Sequence, residues 1–363
     1  MSSRPAGKGR AGGAPRPSSG GKARVSSGAK LRTTQSAAKS SQAKPRASQS
    51  SAKASQAKPR TGRVSGVAVG TRRPPAKPTA TRHRRRPTPR RWPRRLALTL
   101  VIAFALGAAT LVRADWEVHN TFLNTTSHRT DELSSELRVV QLTDFHNIPR
   151  PAQVRDIVEL VRGADPDLIA ITGDLINTNN RTLDPVRRLL DGLSGIDAPR
   201  YYVDGNHDHW SADHAKLHEL LERFGVTILT DANTQVSGDF GRLSLIGVDD
   251  YFSGNGDIDA AVAGLPEKGF RLVLTHSPEI FGELDRTNID YAMCGHTHGG
   301  QIRLPLIGAI YQPGGNWFPK VSKGAYVDGG ATLFVDSGLG VTGPKLRLFN
   351  QSQVTLHRIG PDV

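Results

Sequence analysis

A single cysteine, Cys294, is all that 363 residues contain. No intrachain disulfide can form, and a zinc site built from four cysteines is excluded. The fold must rest on a packed core, and the 228 residues after position 135 (363 − 135) are enough to build one. Acidic residues are missing from one long stretch. Residues 1–95 hold 26 Lys and Arg and no Asp or Glu. Removing those 26 from the 48 basic residues of the whole chain leaves 22 against 33 acidic ones, so residues 96–363 carry a net −11 and the overall +15 is a property of the tail. Large apolar residues are also scarce there, and "SQAKPR" occurs at both 41–46 and 55–60. Such a segment cannot bury enough surface to offset its ordering entropy, so 1–95 is expected to be a disordered basic tail. It suits anionic lipid or nucleic acid as a partner. A solvated leader with no partner is the plainer alternative.

Charge is then absent from the 17 residues Leu96–Val112. As a helix at ~1.5 Å per residue they span roughly 25 Å, within range of a hydrocarbon core of ~30 Å. Arginines crowd the upstream side, as in "RRWPRR". This pattern reads as a transmembrane helix with the N-terminus in the cytoplasm and everything after Val112 outside. That predicts a single-pass cell-membrane protein with an extracytoplasmic catalytic domain. Val112-Arg113-Ala114 loosely resembles a signal-peptidase site, and the arginine pairs loosely resemble a twin-arginine signal, so secretion after cleavage is the alternative. Residues 113–135 read as a linker and 136–363 as the folded domain.

Within that domain strands and helices alternate. "LRVVQLTD", "DLIAITGD" and "RYYVDGNHD" are strand-like, as are "RLSLIGVDD", "FRLVLTHSP" and "YAMCGHTHG". Between them, Val154, Ile157, Val158 and Val161 recur at helical spacing, as do Val186, Leu189, Leu190 and Leu193 after an Asp184-Pro185 start. A third helix carries Leu217, Leu220, Leu221 and Phe224 on one face, with Ser211 as its expected cap. "TLFVDSGLG", "KLRLF" and "QVTLHRI" add further strands. Early alternation and late strands suggest α/β architecture: two mixed β-sheets packed face to face with helices outside.

Five of the expected strands end in metal-capable residues: Asp144 and His146, Asp174, Asn206 with His207, His276, and His296 with His298. Loops at strand ends are the usual home of sites. Mixed Asp, Asn and His donors suit Mn, Zn or Fe better than Ca or Mg. Gly173, Gly205 and Gly295 stand directly before three of these residues, where the backbone must turn sharply and leave room.

The ordered blocks Asp-x-His, Gly-Asp, Gly-Asn-His-Asp, a lone His and Gly-His-x-His resemble the calcineurin-like metallophosphoesterases. "GHTHGGQIRLP" and the preceding "GVDD" resemble the membrane-associated or exported YkuE/YaeI-type branch. The resemblance covers about residues 136–358. It implies a four-layer αββα sandwich and two divalent metal ions. Asp144, His146, Asp174 and His298 would hold one ion and Asp174, Asn206, His276 and His296 the other. His207 would remain free, as a proton donor to the leaving oxygen. A metal-bridging hydroxide would attack phosphorus. Asp208 or Asp204 is expected to orient His207. Asn177 departs from the Asp that many relatives have in "GDxxD", which bears on local structure more than on chemistry. The implied substrate is a phosphate ester, mono- or diester, lipid- or nucleotide-linked forms included.

Other residues keep plainer readings. His214 and His218 lie four apart on a helix, but the sequence offers no third ligand, so a solvated face is expected. Cys294 reads as a small core residue. Asp249, Asp250, Gln301 and Arg303 could line a cleft or serve turns and surface equally well. Two non-enzymatic functions compete with the hydrolase: a membrane-tethered binding protein with a vestigial metal site, and a polyanion-binding protein acting through the tail.

Overall fold

A computed structural model describes residues 92–179 and 181–363. The tail expected over 1–95 therefore lies, apart from its last four residues, outside the described residues. The chain begins with helix α1 (Trp92–His119), 28 residues long and by length and composition able to cross a membrane. At ~1.5 Å per residue it measures about 42 Å, longer than the 17-residue apolar run because it continues into the domain. Glu117 near its end is fully buried and Val118 nearly so.

Two six-stranded mixed sheets follow, with a small third sheet. The strands are β1 (Phe122–Arg129), β2 (Leu137–Leu142), β3 (Leu168–Thr172), β4 (Arg200–Val203), β5 (Val226–Ile228), β6 (Ala232–Gly238), β7 (Gly241–Gly247), β8 (Phe270–Leu274), β9 (Tyr291–Cys294), β10 (Ile302–Leu304), β11 (Gly308–Gln312), β12 (Asn316–Trp317), β13 (Gly324–Asp328), β14 (Ala331–Val335) and β15 (Gln353–Gly360). The first sheet is ordered β1-β15-β2-β3-β4-β5, the second β13-β14-β9-β8-β7-β6, and the small one β10-β11-β12. The helices after α1 are α2 (Pro151–Gly163), α3 (Asp184–Leu193), α4 (Asn206–His209), α5 (His214–Arg223) and α6 (Ile258–Ala261).

Strand periodicity builds the layers. Val139, Leu168 and Ala170 point into the core between the sheets, where they join Leu272, Leu274 and Met293. Their neighbours Val140, Ile169 and Ile171 point the other way, against Val154, Ile157, Leu189, Leu217 and Leu221 of α2, α3 and α5. Val273, Ala292 and Cys294 face outward from the second sheet, under Ile258 of α6, Ile280 of a single-turn 3₁₀ helix and Leu284, which caps a second one. Apolar residues on both faces explain why the central strands read as continuous runs. The result is the expected four-layer αββα sandwich, with a thin outer layer on the second sheet.

Three expectations need correction. Residues 113–135 are no linker: they hold the end of α1 and the strand β1, which pairs in parallel with β15 from Phe122↔Gln353 to Arg129↔Gly360. That strand is polar, and its partner lies some 230 residues away, so local patterning could not find it. "KLRLF" is no strand either. Arg347 turns inward and donates to the carbonyls of Ser337, Gly338, Gly340 and Asn350, and the segment makes only a bridge from Leu348 to Ile302. Ser211 stands three residues before α5, where its hydroxyl accepts from the Asp213 amide, and Asp213 is the N-cap.

Candidate metal centre

The parallel strands of both sheets end along one edge, and their following loops are tied to one another. Asp144 and His146 amides donate to the carbonyls of Gly173 and Asp174 at 3.1 and 2.9 Å; the Gly295 amide donates to His276 O at 2.8 Å. Glycine is required where these loops touch. A Cβ on Gly295 would run into Thr143 Oγ1 and Asp144 Oδ2, and one on Gly205 into the Asp174 carboxylate. Gly173 alone of the three also needs positive φ, at 81°. Of the twelve described non-glycine residues with positive φ, six belong to these loops: Asp144, His146, Asn147, Asp174, His296 and His298. Backbone strain concentrated this way is a feature of functional sites.

The side chains converge in two overlapping groups. His146 Nε2 lies 3.2 Å from His298 Nε2, 3.8 Å from Asp144 Oδ1 and 3.5 Å from Asp174 Oδ2. His298 Nε2 is 3.5 Å from Asp144 Oδ1. On the other side, His276 Nε2 is 3.3 Å from the same Asp174 Oδ2. His296 Nδ1 is 2.8 Å from Asn206 Oδ1. Asp174 Oδ2 thus faces both groups, while its Oδ1 accepts from the His207 amide at 2.8 Å. The His276 Nδ1–H donates to Thr172 O at 2.8 Å, which leaves Nε2 as the atom turned to the site. Asp144 Oδ1 and His276 Nε2 are buried without a hydrogen-bond partner.

Electrostatics prepares the donors. Burial pushes His146 down to about 3 and His296 to about 4, and holds His298 well below the ordinary imidazole value. These rings are therefore neutral at pH 7, the state that ligates. Burial pushes Asp144 up to about 7, with the Asp174 charge adding to it. Burial would raise Asp174 too, but His276, His146 and His207 outweigh it and hold it low. Burial alone would lower His276, yet Asp174 and Asp144 lift it well above its usual range. An orphaned carboxylate oxygen, an orphaned ring nitrogen and two neutral imidazoles facing nitrogen to nitrogen are what a pair of cations would satisfy. The residues present fit the group.

Residues 137–300 match the calcineurin-like phosphoesterase family. The chain carries a calcineurin-like phosphoesterase domain. Metallophosphoesterase YkoQ of Bacillus subtilis is 28% identical over 269 residues, covering 72% of this chain and 99% of that protein. YkuE of the same organism is 28% identical, covering 60% and 77%. A transmembrane protein with metallophosphoesterase domain from Danio rerio is 26% identical, covering 72% and 62%. The domain is accordingly that of a metal-dependent hydrolase of phosphate esters, in a family that is dinuclear.

His207 borders a pocket of about 270 Å³ together with Asp174, Asn206, His296 and His298. Neither Asp208 nor Asp204 orients it. The Asp208 carboxylate accepts from the amides of Leu175, Ile176 and Gly205 and from the Tyr202 hydroxyl. Asp204 accepts from Tyr202 and pairs with His214 and His218, all at 2.9 Å. The partner of His207 is Thr178, whose hydroxyl is 2.9 Å and whose amide is 3.4 Å from Nδ1. An amide can only donate, so Nδ1 accepts and the neutral ring carries its proton on Nε2. Asn177 donates to His146 O at 2.9 Å, bracing the loop as a non-ligand.

Asp204 is also the third residue that the His214/His218 pair lacked in the sequence. The three form a compact group partly open to solvent, and His209 pairs with Asp249 beside it at 2.6 Å. Gln301 and Arg303 brace the backbone, donating to Pro344 O and Gly299 O, and do not line the pocket. Cys294 is fully buried and its thiol is pushed up by burial, in keeping with a core role. The pocket's remaining walls escaped the sequence reading: Trp210, Phe252, Glu279, Thr342 and the turn from Gln312 to Asn316. Trp210, Phe252 and Glu279 follow the Gly-Asn-His-Asp, GVDD and lone-His blocks within a few residues, while the others come from loops farther along the chain that carry no motif.

Proposed function

We propose that this protein is a membrane-anchored dinuclear phosphoesterase. Asp144, His146, Asp174 and His298 hold one divalent cation, and Asp174, Asn206, His276 and His296 hold the other, with Mn, Zn or Fe suited to these donors. The observation that carries the reading is Asp174 Oδ2 set between His146 and His276, 3.5 and 3.3 Å away. When bound, a divalent pair supplies Lewis acidity and acidifies the attacking water. The protein's own residues do the rest. Thr178 holds the His207 ring at Nδ1; as imidazolium, with the Thr178 hydroxyl accepting from Nδ1–H, the ring gives its Nε2 proton to the leaving oxygen and ends as neutral imidazole. Burial keeps the three neutral histidines free of competing protons. Trp210 and Phe252, both about half exposed, offer apolar walls to the leaving group.

The anchor is α1, whose apolar stretch lies wholly outside the domain core. The arginines before it support, by the positive-inside rule, an N-terminus in the cytoplasm and a catalytic domain outside. The basic tail then lies on the cytoplasmic side, where anionic lipid headgroups are its natural partner. The substrate on this reading is a phosphate ester, either a mono- or a diester, with lipid- and nucleotide-linked forms as the candidates to test.

The test is metal content and turnover of full-length protein against Asp174→Ala. The wild type should bind two metals per chain and hydrolyse members of a phosphomonoester and phosphodiester panel. The variant should lose metal at both positions and all turnover. Two bound metals with no hydrolysis across the panel would favour a tethered binding protein.

A further inference from the structure

The small sheet β10-β11-β12 presents an apolar surface that the catalytic site does not use. Leu304, Leu306, Ile307, Trp317, Phe318 and Phe349 all expose their side chains. Leu306, Phe318 and Phe349 do so at φ of 68°, 52° and 50°. Every other described non-glycine residue with positive φ is Asp, Asn or His. Those types tolerate the left-handed region, whereas a bulky apolar residue there is a genuine outlier. Three such outliers, all holding apolar side chains out into solvent, have no explanation in the packing of the domain.

Their position supplies one. Residues 303–308 and Phe349 border a single surface depression. The Arg303 amide donates to Leu348 O at 2.9 Å. One residue beyond Phe349, the Asn350 amide donates to Glu117 Oε2 at 2.9 Å, and the Gln351 side chain donates to Asn120 O at 2.8 Å. Glu117 is in the last turns of α1. The apolar turn therefore lies beside the point where α1 leaves the domain. Charge agrees: residues 302–327 contain no acidic residue, in a region whose net charge is −11, and Lys320 is exposed, while Arg303 and Lys323 are turned inward to Gly299 O and Gln353 Oε1.

We propose that the 304–308 turn with Phe349 is a lip that inserts into the same bilayer that α1 crosses. Its occupant is the lipid surface. An apolar turn without acidic neighbours fits acyl chains below anionic headgroups, and the surface is continuous with α1. The opposite end of the hairpin, Gln312 to Asn316, borders the catalytic pocket. The five-residue strand β11 joins the two ends, about 17 Å at ~3.4 Å per residue. The lip thus holds the pocket within reach of phosphoesters borne on lipids at the membrane surface. This rests on the reading of α1 as a membrane helix, and the test separates the two.

Full-length Leu306→Cys, labelled with a polarity-sensitive dye, is reconstituted in vesicles of phosphatidylcholine and phosphatidylglycerol. Glu267→Cys, on the exposed loop before β8, is the control. Cys294 is buried and stays unlabelled. The Leu306 dye should shift to the blue and be quenched by doxyl-labelled lipid, and the Glu267 dye should not. Adding Ile307→Asp to Leu306→Cys should reduce the quenching. Protein released by alkaline carbonate would show that α1 is no anchor. Protein that is retained but leaves the Leu306 dye in water would overturn the lip, as would equal quenching at both positions.

Discussion

Replacing His207 by Ala removes a pocket-facing imidazole without removing a proposed ligand. Its ring touches the ligand set only edge-on, with centroids 5.0 Å from His146, and its backbone amide still donates to Asp174 Oδ1 at 2.8 Å. Its side chain hydrogen-bonds Thr178, which faces solvent in part and can find water when the ring is gone. Metal content should stay at the wild-type level. A general acid contributes ~10²–10⁴-fold, about 3–5 kcal/mol of barrier, so kcat should fall by that factor for an alkyl ester. A nitrophenolate departs without protonation, and its loss should be smaller by at least about tenfold. Elemental analysis and kcat for the two leaving groups decide the matter. Loss of a metal would make His207 a ligand. Equal loss for both leaving groups would mean that it positions phosphate. In that case Glu279, which borders the same pocket and whose carboxyl is raised by burial, is the next proton donor to vary.

A methyl group on Gly295 must displace Thr143 Oγ1 and Asp144 Oδ2. Gly295→Ala should therefore fold, yet lose roughly 10² in kcat, as a displacement of about 1 Å commonly does, together with metal at the Asp144 side; a wild-type rate would show that the loop yields freely. The His214/His218/Asp204 group makes stability depend on pH. Its hydrogen bond to Asp204 raises His218 above the ordinary 6.5, so its stabilisation is full below that value and fades as pH rises through the raised one. Asp204 is held low because His214 and His218 outweigh its burial, so its own contribution is lost only in strong acid. The gap in denaturation midpoint between wild type and His218→Gln should be wide near pH 5–6 and narrow toward pH 9; a gap that does not vary with pH would refute the linkage.

Legibility in the sequence followed the range of each interaction. The central strands were readable because both faces of each are buried, as with Val139 against Val140 and Leu272 against Val273. The metal-capable residues were readable because each sits just past such a strand, and Asp174, Asn206 and His296 each follow a glycine whose absent Cβ lets two loops meet. Residues whose partners lie far along the chain were not readable. β1 is polar and takes its place from β15. Arg347 looks like a surface cation until the carbonyls around it are assembled. Thr178, not Asp204 or Asp208, holds His207, because Asp208 is committed to the amides of Ile176 and Gly205 and to Tyr202, and Asp204 to Tyr202, His214 and His218.

That commitment explains how one edge of the sandwich can tolerate so much local cost. Buried polar atoms without partners and non-glycine residues at positive φ are each unfavourable, and here Asp144 and His276 supply the first while six loop residues supply the second. The loops cannot relax, because surrounding groups fix them independently of any metal. Asp208 gathers three amides and a phenol around α4. Arg347, fully buried and lowered by that burial to about 10, closes four carbonyls around the 337–350 loop and puts a positive charge behind Asp144. Asn350 joins that loop to His298 O at 2.6 Å and, through its amide, to Glu117 at the end of α1. The same residue therefore braces the His298 loop and docks the end of α1, so that α1 and the candidate site share one hydrogen-bonded corner. A fold built this way keeps its donors in position before a cation arrives and leaves the cation to satisfy what the protein does not.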